Sequence, residues 1–147
     1  ITLDADNSIL LEGLTIAQLS ADNFQFVATD SQTFLLGSYG DDTLTGDDND
    51  NRIDGLQGSD ILTGGAGKDT FVFKSAHGQD TISDFEAADL IEIDALLASD
   101  FASLQGMMSE ETDSTGTDTV ISFGTGDELR LEAVSMSELG ADQFVFV

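Results

Sequence analysis

Residues 37–72 divide into four successive units of nine: GSYGDDTLT, GDDNDNRID, GLQGSDILT and GGAGKDTFV. A fixed period of this length constrains the fold more than any other feature of the chain, because each unit is too short to bury its own apolar side. The first position of each unit is Gly37, Gly46, Gly55 or Gly64, and the fourth is Gly40, Asn49, Gly58 or Gly67. The sixth is Asp42, Asn51, Asp60 or Asp69, and the eighth is Leu44, Ile53, Leu62 or Phe71. Gly and Asn tolerate positive φ and let neighbouring carbonyls approach closely, so the first six residues of each unit are expected to turn. The last three favour a short strand with one inward side chain. One inward residue per nine cannot enclose a globular core, but it can form a stack.

If two units make one coil, turn 37–42 lies over 55–60 and turn 46–51 over 64–69, which brings acids into register. Such a stack requires a cation between successive turns, held by Asp side chains and by carbonyls exposed at the glycines. Hard oxygen ligands without His or Cys, in a flexible cage of about six to eight oxygens, select Ca²⁺ over Zn²⁺, copper or Mg²⁺. A fifth, degenerate unit at 78–82, offset by two extra residues, adds Gly78, Asp80 and inward Ile82. A phosphate loop is excluded: Leu62 stands where its first Gly belongs, and Asp69 replaces its hydroxyl residue.

The units resemble the RTX (repeats-in-toxin) nonapeptide GGxGxDxUx. GGAGKDTFV matches it throughout, whereas the second unit departs at Asn49 and Asn51, which points to a weaker site shared with the fourth. The resemblance implies an all-β fold, a right-handed parallel β-roll with antiparallel hairpin caps and short helices. It also implies a Ca²⁺ cofactor, at Gly37, Gly40, Asp42, Gly46, Asn49, Asn51, Gly55, Gly58, Asp60, Gly64, Gly67, Asp69, Gly78 and Asp80.

The formal charge of −25, from 29 acidic and 4 basic residues in 147, makes the bare chain repel itself. Arg52, Lys68, Lys74 and Arg130 cannot build a basic patch, which argues against nucleic acid and anionic membranes as direct partners. Cysteine and proline are absent, so there are no disulfides and no thiol chemistry. No run approaches the ~18–20 apolar residues of a membrane helix, and the opening residues do not read as a cleavable leader.

The remaining chain divides into 1–27, read as an N-terminal hairpin cap; 28–83, containing the roll; and 84–147, a C-terminal cap. Phe34, Leu35 and Leu36 are expected to form a first rung without ligands. The 84–94 segment resembles the strand that closes RTX rolls in serralysin-type proteases and alginate-epimerase R-modules, with Asp84 and Asp89 as either further ligands or a solvated loop. Ser99 is read as the N-cap of a short helix carrying Phe101 and Leu104, residues 109–118 as a mobile acidic loop, and 119–123 with 128–132 as a hairpin. A capping box at 135–138 and a strand at 144–147 follow. Residues 1–27 and 121–147 align without a gap at nine identical positions, among them Leu11/Leu131, Leu19/Leu139, Phe24/Phe144 and Phe26/Phe146.

His77, the single histidine, is read as a solvated loop residue, and no catalytic constellation stands out, so an enzyme is not expected. The ending DQFVFV resembles that of type I secretion substrates. Together these features lead to the expectation of a secreted, extracellular calcium module of a larger or repetitive protein. A filament-forming or adhesive unit, through head-to-tail homo-oligomers, and a carbohydrate-binding R-module, reaching polysaccharide through calcium, are the alternatives.

Overall fold

The computed structural model describes residues 32–114, 116–124 and 126–147. The expected cap at 1–27 lies outside the described residues. The described residues form eleven strands and one short α-helix, in chain order. The first seven strands are β1 (Thr33–Leu36), β2 (Thr43–Thr45), β3 (Asn51–Asp54), β4 (Ile61–Thr63), β5 (Thr70–Phe73), β6 (Gln79–Ile82) and β7 (Leu90–Ile93). Helix α1 (Phe101–Gln105) then leads to β8 (Met108–Thr112), β9 (Thr117–Ser122), β10 (Glu128–Leu131) and β11 (Phe144–Phe146).

Strands β1 to β7 alternate between two sheets, as one inward residue per nine demands. One sheet has the order β1-β3-β5-β7-β11 and the other β2-β4-β6-β10-β9-β8. All pairings are parallel except β10 with β9 and β9 with β8. The eighth-position residues stack in register: Leu35 beside Ile53, Phe71, Ile91 and then Phe144 in one sheet, and Leu44 beside Leu62, Ile82 and then Leu131 in the other. The architecture is a parallel β-roll.

Ile53, Phe71, Ile91, Leu62 and Ile82 are fully buried, and Leu104, Ile121, Leu129 and Leu131 continue the same core into the cap. Burial decays toward the first rung. Leu35 and Leu44 are only partly covered, and Phe34 and Leu36 face outward.

The polar segment after α1 departs from expectation. Residues 108–112 form β8 instead of a mobile loop, pairing antiparallel with β9. An outer strand with one solvated face accepts polar residues, and charge blunts it against pairing with other chains. Its register sets Glu111 opposite Asp118, and Arg130 from β10 binds both, at 2.5 Å and 2.8 Å. Helix α1 is capped by Asp100, one residue beyond the expected Ser99: Asp100 accepts from Ser103 N at 2.8 Å while Ser103 Oγ accepts from Asp100 N. The 119–132 hairpin and the capping box of Ser135 with Glu138 form as the sequence indicates.

Phe71 stacks in register between Ile53 and Ile91 and also meets the Phe85 ring, 6.2 Å away between centroids. Phe71→Ala should therefore cost about 3–5 kcal/mol in urea denaturation at saturating calcium. Ile61→Ala, on the half-exposed side of β4, should cost under about 1 kcal/mol.

Candidate metal centre

The roll gathers the turns into two edges. One edge carries 37–42, 55–60 and 75–80; the other carries 46–51, 64–69 and 84–89. Along each, the sixth-position side chain of one turn binds the backbone of the turn before it. Asp60 Oδ1 accepts from Asp42 N at 2.8 Å, and Asp80 Oδ1 from Asp60 N at 3.1 Å. On the other edge Asp69 Oδ1 accepts from Asn51 N at 2.8 Å, and Asp89 Oδ1 from Asp69 N at 2.9 Å.

Glycine makes this stacking distance attainable. A Cβ on Gly58 would lie 2.8 Å from the Gly40 carbonyl, and one on Gly67 would lie 2.8 Å from the Asn49 carbonyl. Both residues also hold positive φ, at 147° and 124°. Gly37, Gly46 and Gly78 lie as tightly against the carbonyl oxygens of Gly55, Gly64 and Gly58. Carbonyl oxygens of one turn therefore lie against the next turn, beside the carboxylates.

Asp60 Oδ2, Asp69 Oδ2 and Asp80 Oδ2 are buried and have no hydrogen-bond partner. Buried polar atoms are almost always paired, and an uncompensated buried carboxylate is more costly than a neutral group. Burial pushes the Asp80 carboxyl up to about 7, with the charges of Asp60, Asp127 and Asp54 adding to the effect. Asp60 is raised by the same cause. Three of the chain's four Lys and Arg side chains are committed elsewhere: Arg52 to Glu92, Lys74 to Asp54, and Arg130 to Asp118 and Glu111.

A bound divalent ion would satisfy these oxygens, and an all-oxygen set suits calcium. Asp60 and Asp80 would hold it on one edge and Asp69 on the other, with backbone carbonyls completing the shell. Among the described residues no three His, Cys, Asp or Glu side chains converge.

The structure brings Gly37, Gly40, Gly55, Gly58, Asp60, Gly78 and Asp80 onto one edge, and Gly46, Asn49, Asn51, Gly64, Gly67 and Asp69 onto the other. Asp42 uses Oδ2 within its own turn, accepting from Ser38 N at 2.6 Å and Ser38 Oγ at 2.9 Å. Asp89 extends the sixth-position column, and its signal was the nine-residue step from Asp80 and from Ile82 to Ile91. Unlike the orphaned aspartates, Asp89 is satisfied at both oxygens, by Asp69 N and Glu86 N. Asp84, half-buried, likewise takes Gly64 N and Gly65 N, one at each carboxylate oxygen. Asp127, which the repeat pattern does not reach, takes Gly78 N and Ala76 N at 3.0 Å and 3.1 Å.

His77 is not a surface residue. It is 5% exposed, edge-on to Phe73 at 5.5 Å, with Nε2 3.7 Å from Asp54 Oδ1 and with burial lowering its pKa. Sequence reasoning missed this because Phe73 stacks on Phe123 and Asp127 binds the same turn, both contacts arriving from the distant hairpin.

Residues 36–71 match the RTX calcium-binding nonapeptide repeat in four copies. No curated protein sequence matches the chain. Among solved structures, the extracellular lipase LipA from Serratia marcescens is similar at 24% identity and TM-score 0.59, over 78% of this chain and 21% of the lipase. The chain thus spans about a fifth of that enzyme, and the likeness is one of fold. The R3 and R2 subunits of the Azotobacter vinelandii mannuronan C5-epimerase AlgE6 share 25% and 26% identity. They match over 79% and 76% of this chain and 83% and 91% of their own, at TM-scores of 0.38 and 0.37.

Asp60 links three turns, through its carboxylate to Asp42 N and through its own N–H to Asp80. Asp60→Ala should raise the calcium midpoint by about tenfold or more, roughly 1.4 kcal/mol per decade, and more than Asn51→Ala does; equal midpoints in a calcium titration would contradict the assigned stacking. A pH dependence also follows from Asp80. Without calcium, the folded chain keeps a proton that the unfolded chain releases above 3.8, so stability falls as pH rises from there through about 7. Calcium takes the ionised form, so it should remove this dependence: at saturating calcium, thermal denaturation should show stability that no longer falls through the same window.

Proposed function

We propose that this chain, whose residues 36–71 are RTX calcium-binding nonapeptide repeats, is a non-catalytic module that folds on calcium outside the cell after type I export, as part of a larger or repetitive protein. The observation that carries this reading is the set of three buried carboxylate oxygens without partners, at Asp60, Asp69 and Asp80, in a chain of formal charge −25. Without calcium the roll places like charges in its interior; with calcium those oxygens become ligands. The unfolded chain lacks these stacked sites, so binding energy becomes folding energy. Sites of the extracellular class have dissociation constants of about 10⁻⁴–10⁻³ M, which leaves such a chain unfolded at cytosolic calcium and able to pass an export channel. His77 is enclosed within its turn, and the acids of the edges are engaged with backbone N–H groups, which supports a structural role over a catalytic one.

The sequence repeat at 1–27 and 121–147 favours a second reading. Nine identities at a constant offset of 120 residues support a tandem or head-to-tail arrangement of units, in which apolar faces meet in a contact that does not close.

Far-UV circular dichroism of the full chain should show β signal appearing with calcium near the millimolar range and disappearing on chelation. A chelated sample that keeps its full β signal would contradict the folding role. Light scattering at millimolar calcium should show species larger than one chain if the second reading holds; a strictly monomeric chain leaves the plain module.

A further inference from the structure

The turn pair 46–51 and 64–69 differs from the others in what lies between its layers. Asn51 is completely buried, and its side-chain Nδ2 is surrounded by five oxygens from both turns. They are Asp47 O at 3.3 Å, Asp47 Oδ1 at 3.4 Å, Asn49 O, Gly64 O at 3.5 Å and Asp69 Oδ1 at 3.2 Å. An amide nitrogen has two hydrogens, so it cannot fully satisfy five acceptors. Three backbone carbonyls and two carboxylate oxygens around one point, drawn from two stacked turns, make a shell suited to a hard cation.

The other end of the same amide supports this. Asn51 Oδ1 is buried and unpartnered. Turning the amide over would place that oxygen against five others, which is unfavourable unless a cation lies among them. With Nδ2 inward, two N–H groups instead meet acceptors, and Asp69 Oδ1 also receives Asn51 N. On the opposite edge the corresponding residue facing Asp60 is Asp42, which has no N–H to offer from its side chain.

We infer that the Asn51 side-chain amide takes the place of the ion between turns 46–51 and 64–69, so that this pair of turns closes without calcium. The inference rests on reading the roll as a calcium module. It turns the second unit's departure from the repeat into a built-in substitute for a ligand ion. Asp69 retains an unpartnered Oδ2, so the amide satisfies only the carboxylate oxygen that faces the earlier turn. One rung pair is thereby assembled by the chain itself, adjacent to turns that need the metal.

The test is the number of calcium ions bound by the full chain at saturating calcium, measured by native mass spectrometry and by calorimetry, for the unaltered protein and for Asn51→Asp. Restoring the carboxylate removes the amide hydrogens and supplies a second charged ligand, so Asn51→Asp should bind one ion more than the unaltered chain. An equal number in both proteins overturns the inference, because it means that the site already holds calcium beside Asn51 or cannot hold it at all. Failure of Asn51→Asp to fold at saturating calcium overturns it as well, since a shell suited to an ion must accept one once the carboxylate is present. If the unaltered chain binds no calcium, the module reading itself fails; if it binds calcium but Asn51→Asp gains none, only the inference about Asn51 fails.

Discussion

The hydrogen bond from a backbone N–H to the aspartate one coil later is the interaction on which the rest of this roll depends. It recurs from Asp42 to Asp60 to Asp80 on one edge and from Asn51 to Asp69 to Asp89 on the other. Each bond fixes the spacing of two turns, and that spacing lets a glycine lie against a carbonyl. The same bond also drags a carboxylate into the interior. One oxygen is satisfied by the backbone, and the other is left needing a cation in the middle of the stack.

The ends of the stack follow a different rule. Asp84 and Asp89 at one edge have both oxygens occupied by N–H groups, and Asp127 takes two N–H groups at the other. An acid that closes on backbone amides in this way needs no metal, because charge-assisted bonds to N–H groups compensate its burial. The roll therefore uses one residue type in two ways: Asp60, Asp69 and Asp80 retain an open oxygen, whereas Asp84 and Asp89 are saturated by N–H groups.

The cap grows from the sheets instead of resting on them. β10 pairs with β6 and β11 with β7, so the parallel ladders run on past the last repeat before β9 and β8 reverse direction. This continuation covers backbone and apolar surface that the last rung would otherwise expose. It also encloses His77, since the hairpin that carries Phe123 and Asp127 lies on the fifth turn.

The nine-residue spacing by itself determined the parallel roll, the inward column from Leu44 to Phe71, the two stacked edges and calcium as the matching ion, because those features depend only on which residue types recur and how far apart. It also reached Asp80 and Ile82 across a two-residue insertion. Tertiary structure alone decided what no repeat encodes. Asp42 closes on its own turn, where Ser38 N and Ser38 Oγ both reach its Oδ2. His77 is buried because a hairpin some fifty residues away covers it, and 108–112 forms a strand because β9 offers it a partner and Arg130 neutralises the acids that face each other across the pair. The spacing marked Asn51 as a departure, but its amide could be seen to stand among five oxygens only once both turns were in place, since those oxygens come from residues up to eighteen positions away in the chain.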